Sequence, residues 1–173
     1  QVCFPASPTV MIESGDLKAM QDVNVGDRVQ CDFDKFCDVF VFLKKDTDVI
    51  TTYVRMTTST GTVISATPHH YIYVNSKMTA AGVIQVGDQL TDSTGASQVI
   101  TSVDMVQDRG AFNPHTTNGK IFVNGVMASA YTTYCHPLLA RFLLLPFQAL
   151  YNLGLKTTIL DSASFPSALN FLA

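Results

Sequence analysis

A compact, mainly β domain followed by a helical, apolar appendage is what the sequence predicts, on three observations. Apolar and β-branched residues alternate in strand-length runs from the start of the chain to about residue 134. Turn-forming clusters punctuate those runs throughout. One short segment of the first half recurs in the second, the mark of a duplicated β-unit folded about a pseudo-two-fold axis.

Taken in order, Cys3-Phe4-Pro5-Ala6 leads into a strand that ends at Glu13-Ser14-Gly15. Further strands are predicted at residues 39–43, 49–56, 63–66, 71–74 and 121–123, each rich in Val, Ile, Thr, Tyr or Phe. Between them lie Gly26-Asp27, Ser59-Thr60-Gly61, Gly87-Asp88, Ser93-Thr94-Gly95 and Asn118-Gly119. The echo runs from Val23-Asn24-Val25-Gly26-Asp27-Arg28-Val29 to Ile84-Gln85-Val86-Gly87-Asp88-Gln89-Leu90. Gly61-Thr62-Val63-Ile64 is answered in the same way by Gly119-Lys120-Ile121-Phe122.

The pattern changes at Pro137. Apolar residues three and four apart from Leu138 to Leu155 predict helix, kinked or restarted at Pro146. A second amphipathic piece is expected at residues 164–173. The chain therefore divides into a β-domain, 1–134, and a helical tail, 135–173. The tail is too short and interrupted to span a bilayer, which takes about 20 apolar residues. It carries more apolar surface than one flank of a small domain needs, so it is expected either to pack as a helical hairpin or to present a lipid-contacting face.

Composition narrows the function. The 173 residues are 47% hydrophobic and 14% charged, with a formal net charge of -3. That excludes a disordered chain, and the absence of a basic cluster argues against a nucleic-acid partner. The four cysteines have no CxxC spacing and the histidines no ligand spacing, so no metal is expected. Cys31, Cys37 and Cys135 are expected to be free and buried. Gln1 has neither an initiator Met nor a basic leader, so the sequence is expected to be part of a longer, uncleaved precursor.

Chemistry concentrates in three places. Cys3 stands almost at the start. Thr67-Pro68-His69-His70 joins two strands, so its side chains can project from a strand end. The stretch from Gly119 to Ser129 closes the β-region. A Cys, a Thr and a His distant in sequence can meet as a nucleophile with its proton donor.

Those blocks bring a family into view. The chain resembles the C-terminal autoprocessing domain of hedgehog proteins, the Hog region, whose β-core is the Hint fold shared with inteins. The resemblance rests on Cys3-Phe4 through Glu13-Ser14-Gly15 to Val25-Gly26-Asp27-Arg28-Val29, and on Thr67-Pro68-His69-His70 as the family's T-x-x-H. Gly110, Pro114, Thr116, Gly119, Ile121, Val123-Asn124, Val126, Ala128-Ser129 and Tyr131 follow its closing block.

The resemblance implies a mechanism. Cys3 attacks the carbonyl of Val2 and converts the Val2-Cys3 amide into a thioester. His70 acts as general acid toward the Cys3 nitrogen, and Thr67 holds or distorts the scissile peptide. A sterol hydroxyl then takes the upstream segment in a single turnover, the sterol being a co-substrate and no cofactor being needed. The apolar tail recognises the lipid, with Phe142, Leu143, Leu145, Phe147 and Leu150 as the expected contacts. The same resemblance implies the secretory pathway, a monomer, and the upstream segment and a lipid or membrane surface as partners.

Three positions depart from the family. Lys44 occupies the place of its second-step aspartate. Asp46, two residues on, lies on the same strand face and is expected to substitute, unless residues 44–48 form a charged solvent turn. Ala130 replaces a cysteine, and Val2, whose β-branching crowds the acyl carbon, replaces a glycine. Splicing is disfavoured because the chain ends Asn170-Phe171-Leu172-Ala173. Two rivals remain: hydrolysis or transfer to another lipid alcohol, and an inactive lipid- or partner-binding module.

Overall fold

The computed structural model describes residues 3–155. Val2, the acyl half of the expected scissile bond, and the second amphipathic piece at 164–173 lie outside the described residues. The β-region holds eleven strands: β1 (Thr9–Met11), β2 (Leu17–Ala19), β3 (Arg28–Asp32), β4 (Lys35–Thr58), β5 (Val63–Ala66), β6 (His70–Val74), β7 (Lys77–Ala80), β8 (Gln89–Thr91), β9 (Ser97–Thr116), β10 (Lys120–Val123) and β11 (Val126–Thr132). One helix follows among the described residues, α1 (Pro137–Asn152).

Nine strands form one curved antiparallel sheet in the order β10-β11-β6-β8-β9-β4-β3, with β5 on β4 and β7 on β6. Its spine is the long pairing of β4 with β9, running from Val39↔Thr116 to Thr58↔Ile100. The expected strands at 39–43 and 49–56 are therefore one strand of 24 residues. The charged stretch between them is not a turn. It is absorbed by register shifts between Phe42 and Lys44 and between Asp46 and Ile50, bulges that bend the strand without ending it.

The sequence echo is repeated hydrogen bond by hydrogen bond. Gly26 and Gly87 donate to the carbonyls of Val39 and Ile100, and the amides of those residues donate back to Asp27 and Asp88. The Asp27 and Asp88 carboxylates accept from the amides of Asn24 and Gln85 in the same way. Each unit starts from a 3-10 turn, at Met20–Asp22 and Ala81–Val83. One half enters β4 and the other β9, so the duplicated units meet along the spine. Phe4, Met20, Val29, Phe42, Met56, Ile64, Ile72, Leu90, Ile100, Phe112 and Ile121 fill the core between them.

Helix α1 runs through Pro146 without restarting. Pro137 sits in its first turn, where a missing N–H costs nothing, and His136 Nδ1 caps the Leu138 amide at 3.3 Å. Ala140 and Leu144 are buried against Phe40, Val41, Leu43 and Cys135 of a second, smaller core. Tyr151 locks the far end by donating to the Asp38 carboxylate at 2.7 Å. Packing of this face offsets the hydrogen bond lost at Pro146.

The cysteines correct one expectation. Cys31 and Cys37 are joined in a disulfide, while Cys3 and Cys135 are free. Cys37 pairs with Val29 across the β3–β4 hairpin, and Cys31, two residues beyond Val29, shares its face. Unfolded without reductant, the chain should accept alkylating agent at Cys3 and Cys135 only, read by peptide mass. Replacing Cys31 and Cys37 together by Ala should cost about 2 kcal/mol in denaturant unfolding, the loop-closure entropy of so short a ring.

Candidate active site

Cys3 is fixed by what its neighbours must bond. Phe4 and Phe112 exchange two backbone hydrogen bonds, at 2.8 and 2.9 Å, seating the N-terminal segment against β9. In an extended chain the next residue turns its amide to the other side. There the Cys3 N–H donates to Thr67 Oγ1 at 2.9 Å, and the Thr67 N–H donates to the Cys3 carbonyl at 3.1 Å. The amide nitrogen of the expected scissile bond is thus held by the very threonine the motif supplies.

Gly110 permits this seating. Its φ of +87° suits glycine, and a Cβ there would come within 2.7 Å of the Phe112 ring and 2.8 Å of Ala6. Tyr53 adds a hydrogen bond to the Gly110 carbonyl, fixing the bend in β9 from behind.

His70 opens β6 and is fully buried, its amide donating to the Thr67 carbonyl at 2.9 Å. The Phe4 ring lies over the imidazole, 4.2 Å between centroids. Nε2 lies 2.7 Å from the Ser129 carbonyl. A carbonyl only accepts, so Nε2 carries the proton and Nδ1 a lone pair. Among the described residues Nδ1 has no hydrogen-bond partner. Hydrogen bonds thus link Cys3 to Thr67 and Thr67 to His70, whose imidazole rests on the ring of Phe4, the residue after Cys3.

Burial dominates the electrostatics. It pushes the Cys3 thiol up to about 12, with Lys44 pulling it down and Asp46 pushing it up. It pushes the His70 imidazole down to about 4, against the stabilising effect of the Ser129 carbonyl. The resting site is accordingly a neutral thiol and a neutral imidazole.

Asp46 lies at the rim, close enough for its charge to act on Cys3. Its carboxylate accepts from the amides of Asp48 and Val49 at 3.1 and 3.2 Å and pairs with Lys44 Nζ at 3.2 Å. The bond from Asp48, followed by that from Lys44, holds the carboxyl below the usual carboxylate range. The five expected lipid contacts divide. Phe142 and Leu145 face outward, Leu150 is half-buried, and Leu143 and Phe147 pack against the smaller core instead. The outward stripe also includes Leu138, Leu139 and Leu153. No helix among the described residues is long and apolar enough to cross a membrane.

Two groups escaped sequence reasoning. Asn113 and His115 are buried in β9, with Asn113 Nδ2 and Oδ1 and His115 Nε2 lacking partners among the described residues. His115 stands near enough to His70 to be depressed by it, after burial, to about 3. Polar residues at alternate positions of a run otherwise apolar, around Pro114, were the available signal. His69 bonds Thr133 and packs on Tyr134. No group of three metal-ligating side chains occurs among the described residues.

A duplicated antiparallel β-module that clamps the amide of its own third residue against a threonine, beside a buried histidine, defines a class: a Hint-type module. The chain belongs to the Hint module family, whose model matches residues 1–164. It is 30% identical over 165 residues to protein hedgehog of Drosophila hydei, covering 87% of this chain and 34% of that protein. It is 29% identical over 147 residues to sonic hedgehog protein of Xenopus laevis, covering 75% of this chain and 33% of that protein. The chain thus spans about a third of the length of these relatives. Among solved structures it is similar to the gp41-1 intein, with a TM-score of 0.66 at 14% identity, covering 75% of this chain and 98% of that one. An intein-like domain from Clostridium thermocellum gives 0.61 at 22% identity, covering 73% and 97%.

The two buried histidines set an acid limit on stability. Unfolded, they titrate near 6.5; folded, near 4 and 3. Below pH 6.5 the unfolded chain binds protons that the folded chain refuses, so stability falls as pH drops toward 4 and, for His115, toward 3. Urea midpoints should decline through that window, and His115→Gln should flatten the decline relative to the parent chain.

Proposed function

We propose that the chain is an autoprocessing domain that cleaves the peptide bond in front of Cys3 through a thioester and passes the upstream acyl group to a second nucleophile, a sterol hydroxyl. The observation that carries this reading is the Cys3 N–H bonded to Thr67 Oγ1 at 2.9 Å. Holding the N–H on one side directs the nitrogen lone pair to the other as the amide loses its planarity. His70 Nδ1 takes the thiol proton as the sulfur–carbon bond forms. The resulting imidazolium, with a pKa depressed to about 4, is a strong acid for the departing amine. A thiol with a pKa of about 12 is not ionised at rest, so proton transfer and attack proceed together.

In the second step Asp46 takes the proton of the incoming alcohol. Its three hydrogen bonds weaken it as a base, so the Lys44–Asp46 pair must open for the alcohol to be activated. The outward stripe of α1, from Leu138 through Phe142 and Leu145 to Leu153, is the surface on which the apolar co-substrate or a membrane lies. The Cys31–Cys37 disulfide supports an oxidising, secretory compartment. Division of labour between residues 1–134 and a lipid-recognising tail, 135–173, belongs to the same reading.

The test joins a reporter protein in front of Gln1. Dithiothreitol or hydroxylamine should release it at Cys3, and Cys3→Ala should abolish release. Thr67→Ala and His70→Ala should slow it by about 10²–10⁴-fold, the range of a lost proton-transfer or positioning group. With sterol present, the released reporter should gain the sterol mass. Asp46→Ala should remove that gain while thiol cleavage persists. A free acid in place of the ester would assign hydrolysis, and an uncut Cys3-containing chain would leave only a lipid- or partner-binding module.

A further inference from the structure

Forming a thioester drives an oxyanion into existence inside the protein. Cys3 Sγ bonds to the carbonyl carbon before it, the carbonyl π pair moves onto oxygen, and the thiol proton passes to His70. When that pair returns, the carbon–nitrogen bond breaks and the proton goes to the amine. In a site this dry the oxyanion needs a donor. Thr67 stands on the N–H side of the scissile peptide, where its Oγ1 accepts from the Cys3 amide, and a trans peptide turns its carbonyl the other way; His70 is reserved for the proton.

We propose that Asn113 is that donor, its side-chain amide holding the oxyanion formed at the carbonyl in front of Cys3. The inference rests on the thioester reading above. Phe4 and Phe112 are an antiparallel hydrogen-bonded pair. One step along both chains, Cys3 and Asn113 stand opposite each other, on the face turned away from the two phenyl rings. On its other side Asn113 is the register partner of Lys44. Cys3, Asn113 and Lys44 therefore form a row across three chain segments.

Asn113 is fully buried, and neither its nitrogen nor its oxygen has a hydrogen-bond partner among the described residues. Whichever way the amide is turned, a donor remains free. An amide kept dry and unpaired destabilises a fold, and a group of the same shape without polar atoms would serve packing better. Its retention beside the nucleophile is accounted for by charge that appears only during reaction. Lys44 ends the row, and its ammonium is engaged by Asp46, which leaves the neutral amide as the donor of the pair.

The experiment uses the chain with a reporter in front of Gln1 and follows the rate of dithiothreitol cleavage and the melting temperature together. Asn113→Leu, close in shape, and Asn113→Ala should each slow cleavage by about 10²–10³-fold, as loss of one oxyanion donor does. The Leu variant should melt at or above the parent temperature. Cleavage at the parent rate in the Leu variant would overturn the inference, as would slowing accompanied by a lowered melting point in both variants. Slowing in Lys44→Met but not in the Asn113 variants would assign the oxyanion to the ammonium and overturn it too. A parent chain that does not cleave at all would instead sink the thioester reading, and this inference with it.

Discussion

The clamp on the third residue is the constraint to which the rest of the architecture answers. One strand step puts the Phe4 amide on β9, and the next puts the Cys3 amide on Thr67. That alternation is a property of extended backbone, so the site is specified by seating a strand correctly rather than by a collection of side chains. Everything that secures the seat becomes part of the site: the bend at Gly110, the Tyr53 hydroxyl behind it, and the Phe4 ring on His70. The long β4–β9 pairing matters because β9 offers one edge to the N-terminal segment and a register partner, β4, on the other.

Burial has two consequences that pull against each other. It raises the thiol and lowers the imidazole, which opposes thiolate formation and makes the protonated imidazole a better acid. A protonated, covered sulfur is also a poor partner for oxidants and disulfides. In a chain whose Cys31–Cys37 pair is already oxidised, that protection keeps Cys3 free. In the thioester step proposed above, proximity offsets the small thiolate fraction.

The sequence disclosed the fold well where the physics is local. Gly-Asp turns, β-branched runs and the repeated V-G-D segment are short-range signals, and each found its counterpart in the same hydrogen bonds. The sequence singles out Thr67 and His70 through a motif, and Cys3 through its place near the start of the first block. It does not single out Asn113 or His115. From Gly110 to Thr116 every residue of β9 is buried, so the two-residue alternation that separates inside from outside vanishes. The Cys31–Cys37 pairing depended on hairpin register, and the unity of β4 on bulges that let charged residues remain in a strand. Bulges and register are fixed by tertiary packing, which a single sequence does not write down.

Helix α1 and the rim of the candidate site share a strand, and this bears on the second step proposed above. Phe40, Val41 and Leu43 of β4 form the seam under α1, and the next residue is Lys44, followed closely by Asp46. The seam passes into the rim of the site through the bulge at Leu43, with no flexible loop between. Leu143 and Phe147 bind the helix to that seam, so they are structural support for the outward stripe rather than part of it. A molecule lying on Phe142 and Leu145 would press on a helix supported by β4, by Cys135, by Tyr131 of β11 and by Val25. In the second step proposed above, that seam couples apolar contact on the helix to the Lys44–Asp46 pair through one continuous strand, without any domain motion.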